Sequence, residues 1–346
     1  MNSQDLHQLG INTFDIRDFV DLNFIKEYKE TIIHARKWLD KKSKHCNNGD
    51  RRSDIKFVKY FEKLIGKDYS HLKKENYYQL DYEFVSDCFN YIGENNIKKL
   101  PDGGVPKNSS PLTSLCIMSD ELYTSGIESK WTKLYYDMTR IINDKIIDLN
   151  FPDVRQGPAH FNVMMKNSYL SVHSDEMGDG SIDYVNGIHI RPLTIINYPN
   201  VNRTLKDGSL YRYFIPKKNY SAKKLKLQPW SNDFKFSKLD ILEKIDIYEG
   251  SWTRAFLKMG YNYYDIIPDY KTVLVMDNVI NDGVFGNVAH MVTRNNSENI
   301  RYSICRQTFQ GKATPVGQQD PEWTPNLLKY RMREAEREDN GEEPRS

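Results

Sequence analysis

Residues 287–309 read NVAHMVTRNNSENIRYSICRQTF, and this stretch carries most of the information about the fold. A polar run rich in Asn and Ser, residues 294–299, separates two apolar, β-prone segments, which is typical of a hairpin turn. A hairpin centred on that run places His290 opposite Ser303 and puts Arg301 diagonal to His290. The pattern therefore predicts that these three side chains share one face of a sheet.

A second pattern lies upstream, in the triplet His173-Ser174-Asp175. On a strand, side chains at i and i+2 point to the same face, so His173 and Asp175 present an imidazole and a carboxylate together. His290 supplies a third ligand. Two His and one carboxylate on one side of an octahedron suit non-haem Fe(II), because positions stay open for oxygen and a cosubstrate. The sequence thus predicts a metal site made by His173, Asp175 and His290.

Arg301 and Ser303 extend this predicted site. A guanidinium binds a carboxylate in a planar, bidentate manner, and a neighbouring hydroxyl adds a hydrogen bond. Beside a metal ligand, the two residues form a natural clamp for a carboxylate whose molecule chelates the metal with its other end.

With these residues in place, the chain resembles the Fe(II)- and 2-oxoglutarate-dependent oxygenases of the isopenicillin N synthase-like group. The family's His-x-Asp, distal His and Arg-x-Ser are matched by His173, Asp175, His290, Arg301 and Ser303. In the family, an Asn-x-Tyr before the first His reaches 2-oxoglutarate. Asn162 matches its Asn, whereas Met164 stands in the position of its Tyr. The resemblance covers about residues 155–310.

The resemblance implies that Fe(II), 2-oxoglutarate and O2 take part in the reaction, with Arg301, Ser303 and Asn162 contacting 2-oxoglutarate. It implies release of succinate and CO2, coupled to oxidation of an unactivated C–H bond. Asp175 argues against a halogenase, since halogenases of this fold replace the carboxylate ligand by a small residue. Hydroxylation, desaturation and oxidative ring closure stay open, and a kainoid-synthase-like cyclase is one member that the chain resembles.

Composition and charge favour a small-molecule substrate. The 49 Lys and Arg against 47 Asp and Glu give a net charge of +2, which supplies no broad basic surface for nucleic acid. The four cysteines show no Cys-x-x-Cys spacing, the N-terminus lacks the apolar core of a signal peptide, and no run approaches about 18 apolar residues. We expect a cytoplasmic enzyme with a small, carboxylate-bearing substrate and with no nucleic-acid or membrane partner.

Apolar spacing predicts the elements of the fold. Spacings near three and four predict helices over residues 13–45, 53–65, 76–97 and 128–149. Short apolar stretches bounded by Gly, Pro, Asn or Asp predict strands over residues 161–165, 169–173, 193–198, 211–215, 272–276, 289–293 and 300–309. Many short strands with long-range pairing favour a mainly β fold with a helical flank, a double-stranded β-helix or cupin-like jelly roll. The predicted parts are the helical flank (1–150), the β-helix core (151–312) and a charged tail (313–346).

Two inserts interrupt the predicted core. Residues 176–191 are polar, contain glycines and follow a proposed metal ligand, so they are a candidate lid. Residues 216–240 are rich in Lys with interleaved aromatics, and they are predicted to be a solvated surface excursion rather than a nucleic-acid site. Arg191, Arg254 and Tyr198 are candidates for contacting the substrate.

Two other classes of function stay open. A protein or nucleic-acid hydroxylase of the same fold needs an open groove instead of a closing lid. A non-catalytic, cupin-like binding module is disfavoured because the metal and clamp positions are all filled. The favoured prediction is an oxygenase that acts on a small, amino-acid-like carboxylate metabolite.

Overall fold

The computed structural model describes residues 11–43, 47–53, 55–95, 115–118, 129–152, 154–173, 184–185, 188–216, 253, 256–257, 261–277, 279–280, 284–285 and 290–310. Asp175, Arg254, nearly all of the 216–240 insert and the 313–346 tail lie outside the described residues. Within the described ranges, no helix has the length and the apolar character needed to cross a membrane.

The helices come from the N-terminal part of the chain. They are α1 (Leu22–Ser43), α2 (Ile55–Ile65), α3 (Tyr82–Glu94) and α4 (Lys130–Asn150). Apolar side chains one turn apart, such as Leu134 and Met138 in α4, are buried along one face. The Ser129 hydroxyl accepts a hydrogen bond from the backbone at the start of α4 and so caps it. The helices predicted over 53–65 and 128–149 are confirmed.

The strands occupy mainly the C-terminal half. In chain order they are β1 (Ile11–Asp15), β2 (Asn47–Ser53), β3 (Tyr78–Asp81), β4 (Leu115–Met118), β5 (Val154–Met164), β6 (Leu170–His173), β7 (Tyr184–Val185), β8 (Ile188–Asn197), β9 (Tyr211–Pro216), β10 (Tyr261–Ile266), β11 (Thr272–Asp277), β12 (Val279–Ile280), β13 (Val284–Phe285), β14 (His290–Val292) and β15 (Arg301–Gln310). Each of the seven strands predicted from the sequence overlaps one of these.

The two larger sheets are antiparallel. A seven-stranded sheet has the order β1-β11-β8-β15-β5-β4, with β7 paired to β8, and a four-stranded sheet has the order β10-β9-β14-β6. Two short pairs, β12 with β13 and β2 with β3, stand apart from them. The structure is thus mostly antiparallel sheet with helices, as the mainly β prediction requires.

Buried side chains form two layers. The larger layer joins the helices to one face of the seven-stranded sheet and includes Tyr302 and Ile304 of β15. The smaller layer joins the two larger sheets and includes Met164 of β5 and Tyr211 of β9. Because neighbouring residues of a strand face opposite sides, Arg301 points away from the helices, into the space between the sheets.

The hairpin predicted over residues 287–309 is wrong. His290 lies on β14, which pairs with β6 and β9, whereas Arg301 lies on β15, which pairs with β5 and β8. The polar run between them crosses from one sheet to the other. Asn295 stabilises this crossing, because its buried side chain donates hydrogen bonds to the carbonyl oxygens of Met164 and Asn299, each at 3.1 Å.

The predicted helical flank is partly β structure. The pattern predicts a helix over 13–45, but residues 11–15 form β1 and α1 begins only at Leu22. Strands β1 and β4 are the two edge strands of the seven-stranded sheet. In the candidate lid, the described residues also form strands, since Tyr184 of β7 pairs with His189 of β8.

Candidate active site

His290 and His173 occupy directly opposite positions on neighbouring strands. The Cα atoms of the two residues are register partners in the antiparallel pair β14 and β6. His290 is only 1 % exposed. Its ring stacks on Tyr211 (centroids 5.2 Å apart, 22° between planes) and lies 5.5 Å from the ring of Tyr213. Packing between these tyrosines fixes the orientation of the His290 imidazole.

The third predicted metal ligand, Asp175, lies outside the described residues, two positions beyond the end of β6. Within the ranges that the structure describes, no three His, Cys, Asp or Glu residues are grouped closely enough to hold a metal ion. The structure therefore brings together two of the three predicted ligands.

Arg301 is a buried cation whose hydrogen-bonding capacity is only partly used. It is 1 % exposed, and its Nη1 donates to the Ser303 hydroxyl at 3.0 Å and to the Met164 sulfur at 3.4 Å. Among the residues that the structure describes, its Nε and Nη2 have no hydrogen-bond partner. Burial lowers the pKa of the Arg301 guanidinium. A buried charge with open donors is costly, so an incoming carboxylate would relieve a penalty as well as form bonds.

Tyr198 forms one wall of this site. The Arg301 guanidinium lies over its ring, with 5.3 Å from the guanidinium carbon to the ring centroid. The Tyr198 side chain is fully buried, and its hydroxyl finds no hydrogen-bond partner in the described part of the chain. Burial raises the pKa of Tyr198, so the group is a neutral hydroxyl that can donate a hydrogen bond.

Asn162 and Met164 line the same strand face as the clamp. Asn162 pairs with Ser303, and Met164 pairs with Arg301, in the register of β5 and β15. The Asn162 amide donates to the sulfur of Cys305 at 3.1 Å. Met164, which stands where the family has a Tyr, contacts the guanidinium through its sulfur and offers no hydroxyl.

Arg203 adds positive charge near the clamp. Its guanidinium donates to the side-chain oxygen of Asn295 at 2.7 Å and to the carbonyl oxygens of Asp207 and Asn299, each at 3.2 Å. Burial lowers the pKa of Arg203 to about 10, and repulsion from Arg301 contributes to the shift.

Tyr211 joins the histidine pair to the clamp. Its ring stacks on His290, and it packs in the same buried cluster as Met164 and Tyr198, which both contact Arg301. The predicted metal ligand and the predicted clamp therefore face each other across the gap between the two sheets, not across one hairpin. Sequence reasoning missed Tyr211 and Tyr213. Their alternation in Tyr211-Arg212-Tyr213 placed them on one strand face but gave no sign of what that face contacts.

The remaining predicted contacts are only partly located. Arg191 lies within β8. Arg254 lies outside the described residues. Tyr198, predicted to contact the substrate, lies against Arg301, which is predicted to bind 2-oxoglutarate.

Neither a family profile nor any curated protein sequence matches the chain. Solved structures do match. A prolyl hydroxylase from Trichoplax adhaerens, in complex with a peptide of the hypoxia inducible factor oxygen degradation domain, is 10 % identical, with a TM-score of 0.38 over 89 % of this chain and 87 % of that one. The non-haem α-ketoglutarate-dependent carbocyclase SnoK from nogalamycin biosynthesis is 9 % identical, with a TM-score of 0.35 over 82 % and 92 %. A 2OG-Fe(II) oxygenase family protein from Burkholderia pseudomallei is 13 % identical, with a TM-score of 0.28 over 51 % and 57 %.

Proposed function

We propose that this chain is an Fe(II)- and 2-oxoglutarate-dependent oxygenase with a double-stranded β-helix core. One observation carries the proposal. Among the described residues, the Nε and Nη2 atoms of the buried Arg301 have no hydrogen-bond partner. Arg301 contacts Met164 and Tyr198, which pack in one buried cluster with Tyr211, and the Tyr211 ring stacks on His290. A site of this kind suits a ligand that carries a carboxylate at one end and chelates a metal at the other.

The residues present fit both absent groups. His173 and His290 would hold Fe(II) together with Asp175, and the Cα register already sets the two histidines opposite each other. Arg301, Ser303 and Tyr198 would hold the distal carboxylate of 2-oxoglutarate. This set uses the open Arg301 donors and the Tyr198 hydroxyl, which lack partners among the described residues. The Tyr198 hydroxyl would thus replace the one that Met164 does not supply.

The chain's own part in the reaction is placement and exclusion of water. When bound, iron and 2-oxoglutarate supply the oxidant, so that substrate C–H, O2 and 2-oxoglutarate become C–OH, succinate and CO2. Arg301 would neutralise the charge of the distal carboxylate and so fix the orientation of 2-oxoglutarate between the clamp and the metal ligands. Tyr211 and Tyr213 hold the His290 ring and keep its surroundings apolar. A dry site protects a reactive intermediate from water and side reactions.

We further propose a small, amino-acid-like carboxylate metabolite as substrate, oxidised by hydroxylation or ring closure as in the isopenicillin N synthase-like group. Support comes from the near-neutral charge of the chain and from two basic residues, Arg191 at the end of the candidate lid and Arg254. Residues 176–191 would close over this substrate.

Anaerobic titration with Fe(II) and 2-oxoglutarate tests the proposed function. We expect saturable binding with one 2-oxoglutarate per chain and a weak visible charge-transfer band. The control ligand is 2-oxopentanoate, which has the same chelating end and length but no distal carboxylate, and it should bind more weakly. If the metal-loaded protein shows neither the band nor saturable binding of 2-oxoglutarate, the proposed function is wrong.

A further inference from the structure

Arg36 of α1 contacts the backbone on both sides of the clamp. Its Nη1 donates to the carbonyl oxygen of Pro199 at 3.2 Å, and its Nη2 donates to that of Ile300 at 2.7 Å. Pro199 directly follows Tyr198, and Ile300 directly precedes Arg301. One guanidinium therefore bridges the two chain segments whose side chains form the clamp.

Asn200 closes a network around this bridge. Its side-chain oxygen accepts hydrogen bonds from Arg36 Nη1 at 3.0 Å and from the Tyr302 backbone N–H at 3.1 Å, while its amide donates to the Tyr302 carbonyl at 2.7 Å. The Tyr302 hydroxyl donates to Asp40 of α1 at 2.7 Å, and the Arg36 guanidinium lies 5.2 Å from the Tyr302 ring centroid. The N-terminal helix is thus tied to both clamp segments.

The pairing of β8 with β15 does not extend to Tyr198 and Arg301. Strands β8 and β15 are paired from Phe309 with Ile190 to Ile304 with Asn197, and the pairing ends there. Tyr198 and Arg301 both lie beyond the last pair. Arg301 is held on β5, where it pairs with Met164, but no β8–β15 pair joins it to the segment of Tyr198. Arg36 and Asn200 supply hydrogen bonds between these two segments.

We infer that Arg36 is a positioning residue for the distal carboxylate of 2-oxoglutarate. It contacts no part of the cosubstrate and acts through the backbone next to Tyr198 and Arg301. The inference rests on the proposed function and assigns to the N-terminal helix a part in cosubstrate selection.

The test compares two ligands in two variants of the full chain. Arg36→Met keeps the aliphatic stem and removes the bridging hydrogen bonds. Arg36→Lys keeps the charge but cannot span both carbonyls in a fixed plane. Dissociation constants for 2-oxoglutarate and 2-oxopentanoate are measured anaerobically on the Fe(II)-loaded protein. In Arg36→Met we expect a loss of about tenfold for 2-oxoglutarate, since two or three net hydrogen bonds of the support are gone.

Binding of 2-oxopentanoate shows whether a variant affects only the contact with the distal carboxylate or weakens the whole binding site. Because 2-oxopentanoate has no carboxylate for the clamp, its affinity should change little, and the preference for 2-oxoglutarate should fall. In Arg36→Lys the affinity for 2-oxoglutarate should fall by an intermediate amount. If Arg36→Met does not fold, the same comparison is made with Arg36→Lys. The Fe(II) affinity should be that of the wild type in both variants.

Arg306→Met is the matched control. Arg306 is a buried arginine on the same strand as Arg301, but it faces α4, where it donates to the Tyr136 hydroxyl at 2.9 Å. Its loss should lower the unfolding temperature without changing the ratio of the two ligand affinities.

Each outcome decides the question. A wild-type ratio in Arg36→Met, or an equal loss of both ligands, overturns the positioning role while leaving the proposed function in place. If the wild-type protein binds no 2-oxoglutarate, the proposed function fails and the role of Arg36 fails with it. A loss of affinity in Arg36→Met for 2-oxoglutarate, but not for 2-oxopentanoate, supports both the proposed function and the positioning role of Arg36.

Discussion

His173 and His290 are partners in the register of β6 and β14, although they lie far apart in the sequence. Directly opposite positions are the closest approach that two antiparallel strands offer. The register of these two strands therefore sets the two histidines next to each other.

Replacing either histidine should remove iron. In His173→Ala and His290→Ala we expect iron content after anaerobic reconstitution to fall far below that of the wild type, because a three-ligand site loses one ligand. Iron is measured by mass spectrometry. The control is His71→Ala, since the His71 side chain is 57 % exposed and lies on the helical flank. Wild-type iron content in both ligand variants would contradict the metal site.

Arg301→Lys should weaken the binding of 2-oxoglutarate and leave the binding of the substrate unchanged. A lysine cannot reproduce the planar, two-point contact, so we expect a loss of about 1.5–3 kcal/mol, which is one or more orders of magnitude in the 2-oxoglutarate requirement. Steady-state kinetics with each ligand varied in turn measures both effects. If only the substrate requirement rises, Arg301 belongs to the substrate side of the site.

Tyr198→Phe should weaken the binding of 2-oxoglutarate without lowering the stability of the protein. The buried hydroxyl has no partner in the described part of the chain, so its removal should leave the unfolding temperature of the ligand-free protein unchanged or higher. The affinity for 2-oxoglutarate should fall by about 0.5–1.5 kcal/mol, because one hydrogen bond to the carboxylate is lost. Calorimetry on the same two proteins measures both. A drop in stability with unchanged affinity would return Tyr198 to a packing role.

Gly208, between β8 and β9, forms a bridge with Asn295 of the segment that leads from β14 to β15, and Gly208→Ala should destabilise this contact. Gly208 has a φ of +65°, and an added Cβ would lie 2.0 Å from the carbonyl oxygen of Arg294. We expect a cost of about 2 kcal/mol or more in the free energy of unfolding, measured in urea. The matched control is Gly66→Ala, with a φ of +74° and open space around the added Cβ, which should cost only about 1 kcal/mol. Gly208 also has a ψ of −150°, a backbone conformation essentially restricted to glycine, so equal losses in the two variants would contradict the expected cost.

Changes in the candidate lid should uncouple the conversion of 2-oxoglutarate to succinate from the oxidation of the substrate. In Arg191→Ala, or after deletion of Gly178–Ser181, we expect succinate to form while product yield falls. If Arg191 pairs with a desolvated substrate carboxylate, its removal should cost about 2–4 kcal/mol of substrate binding, against about 0–1 kcal/mol for a surface ion pair. Succinate-to-product ratios and substrate affinity decide between them. Unchanged values of both would mean that residues 176–191 do not close the site.

Local pattern predicted the strands well because alternation and turn residues are short-range signals. The segment Thr272–Asp277, for example, is apolar and ends at polar residues, and it forms β11 within one residue of the prediction. The pairing of strands is not a short-range signal. Residues 294–299 have the composition of a hairpin turn, yet the buried side chain of Asn295 directs the chain to the opposite sheet.

The candidate site was predicted as a set of residues but not as a geometry. His290, Arg301 and Ser303 stand in recognisable spacing, so their chemistry could be inferred. Arg36 could not be found in this way, because a partly buried arginine on an amphipathic helix has the same pattern as a surface residue. Its contacts depend on where α1 packs, which no local stretch encodes.

The two edges of the seven-stranded sheet make the chain hard to shorten. Strand β1 covers β11 on one side, and β4 covers β5 on the other. A fragment of residues 151–312 would therefore expose the unpaired N–H and C=O groups of residues 272–276 of β11 and of residues 160–163 of β5 to any neighbouring molecule. Exposed, unprotected edges of that kind recruit further strands, so such a fragment should aggregate even with every proposed ligand residue intact.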